Sequence, residues 1–236
     1  MKAHVSRILK YAVINLFLVS LIAGIYVLAS NEDVREVLNS TAGFPVYHGS
    51  QQWKKAALEC CVDGSEKRVI QILDIMKENR AALTFYVSAP FARANPDILR
   101  RMSDEGHEIG MLGRDYQYGL DSADGIIRDI KYFQSIVLDA AGVRPLLYMP
   151  YSDSVEGDIV GTVASFGCKA VLFTRNSFSL SDTPSEILHR AVKGLGNGDL
   201  IMLYPTAGTI EALPRIIYEL RRQGLDMETA GRLIGY

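Results

Sequence analysis

The sequence predicts an α/β domain built on a parallel sheet, covered by helices and curled as an open or distorted barrel. Three observations point there. Short apolar runs alternate with helical patterns along most of the chain, which implies parallel strands joined by helical crossovers. The runs are apolar throughout instead of alternating with polar residues, as in strands covered on both faces. There are six or seven such units, a number that favours a barrel over a flat sheet, although periodicity alone does not separate the two.

LECCV at 58–62 is the first strand, and a helical pattern follows over 65–80. ALTFYV at 82–87 leads into a helix over 96–105, and HEIGML at 107–112 is the third strand. In the long helix over 124–141, Ile126, Ile130, Phe133, Val137 and Ala140 recur at spacings of three and four, as a helix lying on a sheet requires; Gly142 then stops it. The series continues with PLLYM at 145–149, a helix over 155–166, AVLF at 170–173 and a helix over 185–193. DLIMLY at 199–204 and a helix over 211–223 complete it. In such folds chemistry sits at the C-terminal ends of the strands. Those ends carry Val62, Asp63, Leu112, Arg114, Asp115, Tyr116, Tyr148, Tyr151 and Tyr204.

A formal charge of −2 gives no concentrated basic face, so a nucleic-acid partner is not expected. Cys60 and Cys61 are adjacent, point to opposite faces of a strand and cannot readily chelate one ion together. They read as small buried hydrophobes, and a disulfide from Cys168 to one of them requires an oxidising compartment.

The chain divides into residues 1–30, an N-terminal membrane anchor or signal segment; 31–52, a polar tether; and 53–236, the domain. Residues 11–29 carry no charge and, at about 1.5 Å per residue, just span a hydrocarbon core of about 30 Å. Lys2, Arg7 and Lys10 before them, against Glu32 and Asp33 after, predict a single pass in the cell membrane with the domain extracytoplasmic. The alternative is cleavage after Ala29, leaving a secreted protein.

The order of the strand ends, with GHEIG at the third, resembles the polysaccharide deacetylase family, also called the NodB homology domain or carbohydrate esterase family 4. KKAALECCVDGSEKRVIQILDIMKENRAALTFYVSA is similar to its first β-α-β unit and NPDILRRMSDEGHEIG to its next helix and strand. GVRPLLYMPYSD resembles its arginine-proline-proline-tyrosine-glycine loop, and GNGDLIMLYP with ALPRIIYELRRQGL its last strand and helix. The resemblance covers about 53–236 and implies a distorted, incomplete (β/α) barrel. It also implies a metal-assisted hydrolysis of N-acetyl groups on amino sugars. One aspartate and two histidines hold the ion, a second aspartate is the base and a late histidine the acid.

This chain departs from that pattern at most of those positions. Val62 stands at the base position and Asp63 at the ligand aspartate; Leu112 and Tyr116 replace the two ligand histidines. Tyr148 replaces the loop arginine and Tyr204 the acid histidine. No catalytic set is intact, and of three metal donors one remains, so neither zinc nor another divalent ion is expected unless an altered mechanism operates.

Two readings of what is left stay open. Asp63 is either a remnant ligand or a cap of the following helix. Arg114, Asp115, Tyr116, Tyr148, Tyr151 and Tyr204, with Asp63, either form a glycan-binding groove or fill the space of the absent ion. His107 is expected in the core, His48 and His189 in solvent. An oxygen-donor cation set of Asp63, Glu108 and Asp115 is a further arrangement that strand alternation permits. The resulting expectation is a pseudoenzyme of the cell envelope that binds cell-wall glycan or a protein partner in the envelope. Its alternatives are a hydrolase removing N-acetyl groups by an altered mechanism using Asp63 and Asp115, and a scaffold for other membrane proteins.

Overall fold

β1 (Lys55–Val62) is paired along both edges, and its burial on both faces explains its composition. Ala57 and Cys61 join the cluster inside the curl, while Ala56, Leu58, Cys60 and Val62 join the cluster under the helices. The opposite placement of the two adjacent cysteines follows from strand alternation. The structure is a computed structural model that describes residues 15, 18–20, 44–113, 123–150, 159–177 and 183–236. Phe44–Tyr236 form one compact unit.

The strands are β2 (Thr84–Val87), β3 (Glu108–Leu112), β4 (Leu147–Met149), β5 (Lys169–Ala170), β6 (Arg175–Asn176), β7 (Leu200–Leu203) and β8 (Asp226–Glu228). Their order is β5-β4-β3-β2-β1-β7-β6, all parallel, and the sheet curls into a half-barrel. β8 takes the lower part of the β1 edge whose upper part belongs to β2: Lys55 pairs with Asp226, Glu59 with Thr84.

The helices are α1 (Glu66–Glu78), α2 (Ala89–Ala94), α3 (Pro96–Asp104), α4 (Ala123–Ala141), α5 (Ile159–Ser165), α6 (Pro184–Val192), α7 (Ala207–Arg222) and α8 (Ala230–Leu233). α1 buries Val69, Ile72, Leu73 and Met76, one stripe of a 3.6-residue repeat. α4 buries Ile126, Ile130, Phe133 and Val137 as expected, leaves Ala140 of the same stripe only partly buried, and is ended by Gly142 at φ 69°. α6 starts in a capping box, Thr183 with Glu186, which satisfies two otherwise orphaned N–H groups. α8 does not cover the sheet; it closes the base of the barrel, with Ala230 and Leu233 packed in the inner cluster.

Two expectations about the N-terminal part are corrected. Crossing a bilayer takes about 20 apolar residues in one continuous helix, because hydrocarbon leaves no partner for open backbone groups. Among the described residues no helix is long and apolar enough to do so. Of 11–29 the structure describes only residues 15 and 18–20, as helix. The single pass through the membrane at 11–29, with the cell-membrane localisation built on it, is withdrawn. The proposed cleavage after Ala29 lies outside the described residues.

Second, residues 44–52 were assigned to the tether, yet 44–50 are built into the domain. Val46 bridges Val171 in parallel, with its N–H on the Ala170 carbonyl at 2.9 Å and its carbonyl taking the Leu172 N–H at 2.7 Å. Gly49 N–H then reaches Gly198 O at 2.8 Å and Ser50 N–H reaches Leu233 O at 3.1 Å. This strap ties the β5 side of the sheet to the start of β7, a long-range pairing that local periodicity does not reveal. The three cysteines are free and buried, so no disulfide from Cys168 is formed.

Candidate functional site

The C-terminal ends of β1, β3 and β7 bring Asp63, Leu112 and Tyr204 to one mouth. Asp63 follows the last residue of β1 and is exposed. The helix after it has Ser65 at its N-cap, at φ 61° and with no side-chain capping bond, and no described residue hydrogen-bonds the Asp63 carboxylate. The capping reading of Asp63 is therefore corrected: its side chain caps none of the described helices.

Leu112 faces the interior, 7% exposed, in a cluster with Cys61, Met149 and Met202. The Cys61 thiol meets the Met149 sulfur across that interior at 3.5 Å. Tyr204 is half-buried against the same cluster. The described part of the inside of the mouth is thus lined by hydrocarbon and sulfur.

Val62 and Tyr148 point elsewhere. Val62 has no exposed surface and belongs to the helix-side cluster. Tyr148 is 1% exposed in that same cluster, because Leu147 and Met149 take the interior positions of β4 and alternation sends the residue between them outward. It is too buried to stack on a sugar, which corrects its place among the glycan contacts. Arg114, Asp115, Tyr116 and Tyr151 lie outside the described residues.

Glu108 opens β3, at the opposite end of the barrel from Asp63. Thr84 Oγ1 donates to it at 2.7 Å and Gly231 N–H at 2.9 Å. An oxygen-donor site joining it to Asp63 is excluded by that separation. His107 behaves as expected of a core residue: 7% exposed, edge-on to Phe85 at 5.3 Å, with Nδ1 accepting the Leu83 N–H at 3.2 Å. Burial pulls its pKa down to about 4. His189 is exposed.

Sequence reading missed two polar groups deeper in the fold. Glu59, in the apolar run of β1, has no exposed surface; Tyr86 O–H donates to its Oε1 at 3.1 Å, and Oε2 meets no partner among the described residues. Burial raises its pKa well above the usual value; the Tyr86 hydrogen bond opposes this and the Glu108 charge adds to it. Gly110 makes room for Tyr86, since a Cβ there would stand 2.7 Å from the ring. The signal was present: one carboxylate inside an otherwise apolar strand.

The second group ties down the strap. Asp199 takes Arg175 Nε at 2.7 Å and Gly196 N–H at 2.9 Å, and lies 3.5 Å from His48 Nε2. His48 Nδ1 donates to the Gly49 carbonyl at 2.7 Å, so the solvent-exposed placement of His48 is corrected to a half-buried one. Burial alone would raise the Asp199 pKa, but hydrogen bonds from His48, Arg175 and Gly196 outweigh it and hold it below the usual range.

The family implies a divalent ion, and Asp63 and Leu112, the two described residues at the positions the resemblance aligns with its ligands, do not by themselves fit one. Among the described residues no group of three or more histidine, cysteine, aspartate and glutamate side chains could hold a metal. Of the three positions the resemblance aligns with the donors, Leu112 offers a buried hydrocarbon, Asp63 a single carboxylate, and Tyr116 lies outside the described residues; such sites use three protein donors. No hydrolytic step through an ion can be assigned to these side chains.

The chain is 26% identical over 178 residues to a peptidoglycan-N-acetylglucosamine deacetylase of Bacillus cereus, covering 70% of this chain and 81% of that one. Among solved structures, a wild-type CE4 family pseudoenzyme from Bacillus anthracis matches with a TM-score of 0.75 at 21% identity, over 81% of this chain and 69% of that one. A mutant of it with restored enzymatic activity also gives 0.75 at 21% identity, over 81% of this chain and 71% of that one. At these identities the structural likeness bears on the fold alone. The profile of polysaccharide deacetylases matches residues 54–171, and the chain belongs to the polysaccharide deacetylase family.

Proposed function

We propose that this protein is a pseudoenzyme of the polysaccharide deacetylase family that binds cell-wall glycan without hydrolysing it. One observation supports the reading: Leu112, which the resemblance aligns with a ligand histidine, is a buried hydrocarbon, and no described residue hydrogen-bonds Asp63. Val62, at the base position, is turned into the helix-side core and has no proton-accepting atom. Losing a general base commonly costs about 10² to 10⁴ in rate, and losing the ion removes several kcal/mol more of transition-state stabilisation. The glycan half of the proposal draws on a relative named for a peptidoglycan N-acetylglucosamine substrate.

The test is zinc content of the purified protein, acetate release from N-acetylated chito-oligosaccharide, and binding of the same oligosaccharide by calorimetry. Binding with neither stoichiometric zinc nor acetate is expected. Stoichiometric zinc with acetate release would sink the proposal in favour of an altered-mechanism hydrolase, and absence of glycan binding would sink its glycan half in favour of a protein partner.

A further inference from the structure

Beside the mouth, on the outer surface, α2 and α4 leave a depression of about 440 Å³ lined by Ala89, Pro90, Arg93, Ala94 and Tyr132. That volume lies within the range of about 300 to 1,000 Å³ typical of ligand sites. Its position follows from the backbone. Ser88 N–H bonds the Val62 carbonyl at 2.9 Å, which pins the end of β2 to the end of β1, and α2 starts at the next residue. The depression therefore begins close to Asp63.

Its lining is chemically mixed. Ala89, Pro90 and Ala94 contribute small or flat apolar surface, Tyr132 stands 45% exposed, and Arg93 is exposed with no acidic partner among the described residues. Arg128, one helical turn before Tyr132 on the same face of α4, is exposed and makes no ion pair with a described residue either. A phenol ring offers an apolar face to the C–H groups of a pyranose. A guanidinium offers a planar pair of donors that match a carboxylate.

We propose that this depression is a subsite for a glycan unit that carries a carboxylate, with Tyr132 under the sugar ring and Arg93 on the acid group. It rests on the glycan reading above and extends it: a polymer lying over the mouth continues into the depression, and the acidic sugar sets its register. An uncharged amino-sugar polymer engages Tyr132 alone.

The experiment titrates the full chain with two soluble probes by calorimetry, at low and at physiological salt. One is a disaccharide of N-acetylglucosamine and its 3-O-lactyl derivative, which bears the carboxylate; the other is the uncharged N-acetylglucosamine disaccharide. Binding of the acidic probe is expected to be about tenfold tighter and to weaken with salt. Arg93→Gln is expected to abolish that preference and Tyr132→Ala to weaken both probes about tenfold, with thermal unfolding unchanged because both side chains are exposed. Equal affinity for the two probes, or acidic-probe binding unaltered in Arg93→Gln, overturns the subsite and leaves the glycan reading standing. If neither disaccharide nor longer chito-oligosaccharides bind, both fall together.

Discussion

At the N-terminal ends of the strands Asp199 takes hydrogen bonds from Arg175 and Gly196 and faces His48, and Glu108 takes them from Thr84 and Gly231. At the C-terminal ends Asp63 takes none from any described residue, and the interior beside it is Leu112, Met149 and Cys61. In this fold class the first end serves stability and the second chemistry. At the base of this barrel the carboxylates of Asp199 and Glu108 are hydrogen-bonded, whereas the described part of the mouth is closed by apolar and sulfur packing. A fold held together from below tolerates such packing, because the groups that secure its strands are far from those that would act on substrate.

Four experiments break or sharpen this contrast. The largest effect is expected from Val62→Asp, which would put a carboxylate where the resemblance places the family's base. Val62 has no exposed surface, so an acid group there loses its hydration and costs about 3 kcal/mol or more by urea denaturation. A stable Val62→Asp would mean that the mouth is looser than its packing indicates.

Next comes the pH profile of stability. His107 protonates near 6.5 when unfolded and at about 4 in the fold, so its contribution is fully present above pH 6.5. It is lost as pH falls towards 4, by about 3 kcal/mol. Glu59 works in the opposite sense: its folded pKa is raised, so stability is fully present below about pH 4.5 and declines as pH rises above that value. Denaturation curves from pH 4 to 9 should show His107→Gln flattening the acid limb and Glu59→Gln the alkaline one. Unchanged limbs would remove these groups from the account.

Gly198→Ala ranks third. The residue has φ 81°, and a Cβ would stand 2.6 Å from the Gly49 carbonyl and from the His48 ring. Left-handed strain with overpacking is expected to cost about 2 to 3 kcal/mol and to expose the Val46 and Gly49 amides to hydrogen exchange. Exchange unchanged at those two amides would show that the strap does not depend on this contact. The smallest effect belongs to Asp63→Asn, within about 0.5 kcal/mol, as for an exposed side chain with no partner among the described residues. A large loss there would reveal a partner at the mouth.

The core strands were legible because strands covered on both faces leave continuous apolar runs, as in β1 and β7. The long helices were legible from their stripes, with α7 starting earlier than expected because Thr206 supplies the cap, its Oγ1 taking the Thr209 N–H at 3.1 Å. β6 and β8 have two and three residues, too few to show a period, and α2 has six. The strap around Val46 is defined by partners far along the chain. At the site, positions were legible and directions were less so: Leu112 projects inward as expected, while Tyr148 was assigned to the mouth although alternation within Leu147-Tyr148-Met149 already sends it outward. Glu59 was passed over because composition averages hide one acid among apolar neighbours.

β1 lies near the start of its compact unit, yet β7, β8 and α8, which complete its edges and plug its base, come from the other end of it. Closing so long a loop has an entropic cost that local contacts do not offset until the last elements are in place. During synthesis, β1 to β3 must therefore wait with an open apolar interior until the final turn has emerged, and the interval is the period in which this chain is most exposed to misassociation.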